Sequence, residues 1–169
     1  FEGRTDAEIN SVGHGRIGGK LEGMINAPLS DRAAVRFVGW YQHDGGYIDN
    51  VAGTRTFCGT PILDDEDNII GCNKDGISVN NSAVVKNNIN QVDTYGGRAA
   101  LKIDLDDNWT VTPTVAAQIQ KTEGRFGFDP SVGDLQVQTF SPEKSRDRFI
   151  QAALTIEGKL ANWDLTYAG

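Results

Sequence analysis

The stretch at residues 33–42, AAVRFVGWYQ, decides the fold because its side chains alternate between two kinds of surface. Ala33, Val35, Phe37, Gly39 and Tyr41 form an apolar set, whereas Ala34, Arg36, Val38, Trp40 and Gln42 between them form a mixed, partly charged set. Successive side chains of a β-strand lie on opposite faces of a sheet. This period of two therefore predicts a strand with one apolar face and one mixed face.

The same period recurs along the chain and predicts about seven strands. It is clear at 20–29, 97–105, 109–120 and 149–160 and weak at 4–10, and a further strand opens at Trp163. Short connections are expected at Ser30–Arg32, Asp106–Asn108 and Ala161–Asn162. Residues 44–91 and 122–147 are expected to be long polar loops without a core.

Short turns at one end of a sheet and long loops at the other are typical of outer-membrane β-barrels. Several alternating runs approach the roughly 9–11 residues that a tilted strand needs to cross a bilayer. Trp109 and Trp163 open strands after short turns, and Tyr41 and Tyr95 lie near the long loops, where interfacial aromatic belts are expected. Pro113 conflicts with a central strand and is expected to need a bulge or a sheet edge.

The predicted fold is therefore all-β, an antiparallel up-and-down meander that forms part of a transmembrane β-barrel, with short periplasmic turns and long extracellular loops. A half-buried sheet of a β-sandwich would produce the same alternation. Only 38% of the 169 residues are hydrophobic, and no run approaches the length of a membrane helix. The net charge of −7 argues against a nucleic-acid partner.

Cys58 and Cys72 both lie in the first long loop, and we expect a disulfide that closes a loop of about 15 residues. Two unrelated thiols are the alternative interpretation. The acidic residues Asp64, Asp65 and Asp67 between them could hold a hard cation such as calcium, but a solvated acidic turn is the simpler interpretation and the one we favour.

Four stretches of the chain resemble the barrel hairpins of TonB-dependent outer-membrane receptors. They are GGKLEGMINAPLSDRAAVR at 18–36, GWYQHDGGYIDN at 39–50, DTYGGRAAL at 93–101 and DNWTVTP at 107–113. The resemblance spans nearly the whole chain and implies that residues 1–169 are a partial barrel domain, an internal piece that lacks the plug and the remaining strands. It also implies contact with outer-membrane lipid, and with the TonB energy-coupling complex through the missing N-terminal region.

Two groups of side chains are candidate ligand contacts. Arg125, Phe126, Phe128 and Asp129 in the second long loop could stack on a sugar or an aromatic ring and pair with its charge. These residues could instead pack the loop against itself. On the polar face, Arg36, Trp40, Arg98 and Lys102 could line a permeation path or pair with carboxylates such as Glu22, Asp104 and Glu157.

The expected function is import of a scarce nutrient across the bacterial outer membrane: chelated iron, a vitamin or an oligosaccharide. A passive porin and a secreted carbohydrate-binding β-sandwich are the alternatives. We expect neither an enzyme nor a bound cofactor, because no nucleophile motif is present and His14 and His43 lack triad partners by spacing.

Overall fold

The computed structural model describes residues 1–72 and 76–169 and consists of β-strands and connections, with one short 3₁₀ helix at Ser82–Val84. The strands are β1 Glu2–Ser11, β2 Ile17–Ser30, β3 Ala33–Asp44, β4 Asp49–Asn50, β5 Thr54–Phe57, β6 Pro61–Leu63, β7 Ile69–Cys72, β8 Ile77–Asn80, β9 Val92–Asp104, β10 Trp109–Glu123, β11 Gln136–Val137, β12 Lys144–Leu160 and β13 Trp163–Ala168. In this part of the chain, no helix is long and apolar enough to cross a membrane.

Seven of these strands form one large sheet in the order β1-β2-β3-β9-β10-β12-β13. Every neighbouring pair is antiparallel, so the predicted antiparallel meander is confirmed. The sheet is open, with β1 and β13 at its two edges. The long strands continue further towards the long loops than the sequence predicts: β9 starts at Val92 and β12 at Lys144.

The register divides the sheet into two faces that match the predicted ones. Phe37 lies opposite Ala99, and Ala99 opposite Val115, so these side chains share one row on what we call the apolar face. Arg36 lies opposite Ala100 on the other side, the polar face. Phe37 is 55% exposed, whereas its neighbour Val38 on the polar face is half-buried. The large sheet therefore exposes its apolar side chains rather than burying them.

The short connections at the turn end of the sheet are held by local polar contacts. Asp106 Oδ1 accepts hydrogen bonds from the backbone N–H groups of Asn108 (2.7 Å) and Trp109 (2.9 Å). The β12–β13 turn places Ala161 at a φ of 54°, in the left-handed region that disfavours a Cβ atom. Trp109 and Trp163 open β10 and β13, as predicted from the sequence.

The prediction that Pro113 needs a bulge or a sheet edge is wrong. Pro113 lies in β10, between β9 and β12, and stays in register opposite Leu154. Pairing with β9 lapses at Thr112 and Pro113 and resumes at Thr114 without a change of register. The strand therefore tolerates the missing N–H by giving up pairing on one side over two residues.

The prediction that 44–91 and 122–147 are loops without a core is also wrong. These segments contain β4–β8 and β11, and they pack together into what we call the loop cap. The buried apolar side chains of the described residues are Ile48, Val92 and Val137, all in or beside this cap. The core of the chain therefore lies at the long-loop end rather than under the large sheet.

Candidate functional site

The loop cap is built around three buried asparagines rather than a large apolar core. Asn50, Asn81 and Asn90 are each only 2% exposed. A side-chain amide carries both donors and acceptors, so it can satisfy backbone groups that no strand partner reaches. Each of these side chains connects segments of the chain that are distant in sequence.

Asn50 and Asn81 bind the same residue of the second loop. Asn50 Oδ1 accepts from Thr139 N at 2.8 Å, and its Nδ2 donates to Thr139 O at 3.1 Å and to Val84 O at 2.8 Å. Asn81 Nδ2 donates to Thr139 O at 3.2 Å and to Val51 O at 2.8 Å. Thr139 is therefore tied to both ends of the first loop.

Asn90 fixes the point where the first loop leaves β3. Its Oδ1 accepts from Tyr47 N at 2.7 Å and from Ile48 N at 2.8 Å. The parallel pair β4 and β11 extends these contacts, since Val137 lies opposite Asn50. None of the three asparagines was predicted from the sequence. The density of asparagines at 80–90 is a signal for Asn81 and Asn90, because buried amides commonly satisfy loop backbones, but nothing comparable surrounds Asn50.

An open cleft of about 570 Å³ lies on the loop cap. The residues that give it charge and aromatic character are Arg55, Arg125, Phe128, Asp129, Phe140 and Glu143. Three of the four predicted ligand residues, Arg125, Phe128 and Asp129, thus meet in one place. Phe126 lies outside the lining and is 55% exposed.

Three charged groups of the cleft, Arg125, Glu143 and Asp129, already have hydrogen-bond partners. Arg125 binds Glu143 through two contacts, one of them from Nε to Oε2 at 3.0 Å. This hydrogen-bonded pair lowers the pKa of Glu143 below its usual value and raises that of Arg125. Asp129 Oδ1 accepts from the N–H and the hydroxyl of Ser131, which lowers the pKa of Asp129.

Arg55 is the cation of the cleft that has no ion-pair partner within the described residues. Its guanidinium lies 5.0 Å from the centroid of the Phe140 ring, and Phe128 is 43% exposed on the same cleft. A guanidinium on an aromatic ring can still donate to a carboxylate or phosphate at its edge. The arrangement suits a ligand that combines an anionic group with a planar or sugar-like surface.

Cys58 and Cys72 form a disulfide across the hairpin that contains β6 and β7. The acidic residues between the two strands stabilise the turn in which they lie. The Asp64 carboxylate accepts hydrogen bonds from Glu66 N at 2.9 Å and from Asn68 N at 2.8 Å. In residues 1–72 and 76–169 no three His, Cys, Asp or Glu side chains form a group that could hold a metal ion. The geometry therefore gives no support to a cation at Asp64, Asp65 and Asp67.

The four candidate lining residues, Arg36, Trp40, Arg98 and Lys102, all lie on the polar face. The Trp40 ring lies over Gly96, at a position where a Cβ atom on residue 96 would collide with it. The Nε1 atom of Trp40 donates a hydrogen bond to Gln118 Oε1 at 3.2 Å. Lys102 pairs with Asp104 at 3.3 Å.

Arg36 and Arg98 have no ion pair among the described residues. Arg36 faces Ala100 and Arg98 faces Val38, so the two arginines are diagonal neighbours on β3 and β9. Within the described residues, the polar face therefore carries two neighbouring guanidinium groups without an ion pair.

No protein-family model matches the chain, and no curated protein or solved structure matches it significantly. The candidate site is therefore defined by the chain's own side chains, namely the loop-cap cleft around Arg55 and Phe140 and the free arginines of the polar face.

Proposed function

We propose that this chain is part of a TonB-dependent receptor of the bacterial outer membrane, in which the large sheet faces lipid with its apolar side and lines an aqueous interior with its polar side. The single observation that carries this proposal is the exposed apolar face of a seven-stranded antiparallel meander. Soluble monomers rarely leave contiguous apolar patches of more than a few hundred Å² uncovered.

The apolar face has the composition that hydrocarbon requires. We use the term apolar band for the rows of the apolar face that lie between the row of Tyr41 and Tyr95 and the row of Trp109. The register places no Asp, Glu, Lys or Arg inside it within the described residues. Its exposed members include Ile25 (50%), Phe37 (55%) and Val115 (47%). A charge at the bilayer midplane costs about 2–4 kcal/mol for Arg or Lys, which explains this exclusion.

The polar face has the opposite composition. It carries ion pairs such as Arg4–Asp6 at 2.7 Å and Lys20–Glu22 at 3.0 Å, together with the free Arg36 and Arg98. Charged pairs and free guanidinium groups need water or a polar partner. This face therefore suits a water-filled interior or the surface of a plug domain.

A secreted β-sandwich would need a second layer over the apolar band. The remaining sheets in the described part of the chain are two-stranded and belong to the loop cap. Phe37 remains more than half exposed, so no layer of the described residues covers it. This observation favours a membrane protein over the sandwich.

In the proposed mechanism the loop cap captures the nutrient outside the cell and the polar face passes it inward. The cleft around Arg55, Phe128 and Phe140 supplies a cation and aromatic surfaces for capture. Arg36 and Arg98 continue the cationic surface along the interior. Coupling to TonB would lie in the plug region that the resemblance implies, outside this chain.

The experiment that tests the function is uptake by cells that carry the intact native gene. Accumulation of labelled siderophore iron, cobalamin and oligosaccharides is compared in cells with and without a working TonB complex. Loss of uptake without TonB supports the importer. Uptake that persists without TonB and without the proton-motive force identifies a passive porin instead. A gene whose product is secreted and soluble contradicts both membrane functions.

A further inference from the structure

We propose that a basic patch at the long-loop edge of the apolar face binds the phosphate-bearing headgroup of an anionic lipid. The patch consists of Lys121, Arg146 and Arg148, with Tyr95 beside them; we call it the headgroup patch. The inference rests on the proposed membrane location and adds a lipid-binding site to it.

The register places these side chains together on the apolar face. Lys121 in β10 lies directly opposite Arg146 in β12, and Arg148 lies opposite Ile119 in the next row. Ile119 in turn lies opposite Tyr95 in β9. The Lys121 ammonium group lies 5.3 Å from the centroid of the Tyr95 ring, which confirms that the two side chains share this face.

The acidic side chains near the headgroup patch have other partners. Glu123 lies 3.7 Å from both Lys86 Nζ and Lys144 Nζ. Asp93, opposite Lys121, accepts from the Tyr41 hydroxyl at 2.8 Å and lies 2.8 Å from His43 Nδ1. Within residues 1–72 and 76–169, Lys121, Arg146 and Arg148 therefore have no ion-pair partner. All three are exposed, in a chain whose net charge is −7.

The patch continues directly from the apolar band. The row next to Ile119 and Arg148 contains Ala117 and Ile150, and Ile150 is 77% exposed. Side chains two residues apart on one strand are separated by about 7 Å. A lipid whose acyl chains lie against Ile150 therefore places its phosphate beside Arg148 and Lys121. Guanidinium groups bind phosphate through two parallel hydrogen bonds, which adds geometric fit to the charge.

Among the described residues, the other end of the apolar face has no equivalent patch. There the register places Trp109 opposite Gly158, and Trp163 opposite Leu160, so this edge is aromatic and uncharged. A nonspecific attraction of the chain to membranes would not require basic side chains at only one edge of the apolar face. The basic groups at one edge alone indicate that the anionic headgroups lie on the long-loop side.

The test uses the protein encoded by the intact native gene and two kinds of vesicle, pure phosphatidylcholine and phosphatidylcholine mixed with phosphatidylglycerol. The test variant carries Lys121→Gln, Arg146→Gln and Arg148→Gln. The matched control carries Arg36→Gln, Arg98→Gln and Lys102→Gln, which removes the same charge from the polar face. Affinity for each vesicle is measured by co-sedimentation at low and high salt.

The unmodified chain should bind the anionic vesicles roughly 100-fold more tightly than the neutral ones, since each basic side chain near an anionic surface contributes about fivefold. The preference should shrink at high salt. The patch variant should lose this preference while its affinity for neutral vesicles is unchanged, and the control should keep it.

Equal binding of the unmodified chain to both vesicles overturns the headgroup patch while leaving the proposed membrane function standing. The headgroup patch is also overturned if the control variant loses the preference as fully as the patch variant. Failure of the unmodified chain to bind either kind of vesicle contradicts the membrane function itself. The preference of the unmodified chain is measured without any substitution, so the test does not depend on how the variants fold.

Discussion

Replacing Asn50 with alanine should loosen the loop cap without disturbing the large sheet. The side chain is 2% exposed and makes three hydrogen bonds, two to Thr139 and one to Val84. Alanine would leave three buried backbone groups without these partners. Asn50 lies in β4, which pairs with β11 in a two-stranded sheet separate from the large one.

The magnitude follows from the three lost bonds. Each contributes about 1 kcal/mol net, so the cap should lose about 3 kcal/mol. Because 1.4 kcal/mol corresponds to a factor of ten, local opening should become roughly 100-fold more frequent. Hydrogen exchange reports such local opening directly, most clearly at Thr139 N, which donates to Asn50 Oδ1, and at Val51 N, which donates to Val137 O at 2.9 Å.

The assay is hydrogen exchange with mass spectrometry at fixed pH, on the chain in detergent or vesicles. Asn87→Ala is the matched control, because Asn87 lies in the same loop and is exposed. Peptides that cover Thr139 and Val51 should exchange faster in Asn50→Ala than in the unmodified chain. In Asn87→Ala their exchange rate should not change. Peptides from β9 and β10 should not respond to either. Equal exchange in the two variants would refute the structural role assigned to the buried amides.

Two further predictions concern a turn and the loop-cap cleft. Ala161→Gly should stabilise the chain by about 0.5–1 kcal/mol in urea unfolding, because glycine accepts the φ of 54° without strain; Asn162→Gly, whose φ is not positive, should not stabilise it. NMR titration should place the pKa of Glu143 below 4.5 and return it towards 4.5 in Arg125→Gln. Since the folded pKa is lowered, this pair stabilises the cleft above pH 4.5 and the contribution disappears as the pH falls through the folded value. An unshifted Glu143 would contradict the pairing.

Sequence periodicity predicts the central part of the large sheet because its two faces meet different surroundings. The apolar and mixed sets at 33–42 remain on separate faces throughout β3. The predicted strands at 97–105 and 149–160 start too late for a physical reason. Towards the long loops the apolar face carries polar groups such as Asp93 and Arg146, so the alternation ends before the backbone pairing does.

The loop cap could not be predicted in the same way. Its strands β4 and β11 are two residues each, and their pairing joins positions that are distant in sequence, which no local period encodes. Arg125, Phe128 and Asp129 meet because they are close in sequence, and so this part of the cleft was predictable. Arg55 and Phe140 come from different loops, and only the fold brings them together.

The measurement that tests the central claim most directly compares Val115→Arg with Ala116→Arg in a vesicle insertion assay. The two residues are neighbours in β10, at the same depth, and lie on opposite faces: Val115 pairs with Ala99 and Ala152 in the apolar band, and Ala116 with Arg98 on the polar face. We predict that Val115→Arg weakens insertion by about 2–4 kcal/mol, the cost of an arginine at the bilayer midplane, and that Ala116→Arg has little effect. Equal effects of the two substitutions, or an unmodified chain that stays in water as a folded monomer, would contradict the assignment of the apolar face to lipid.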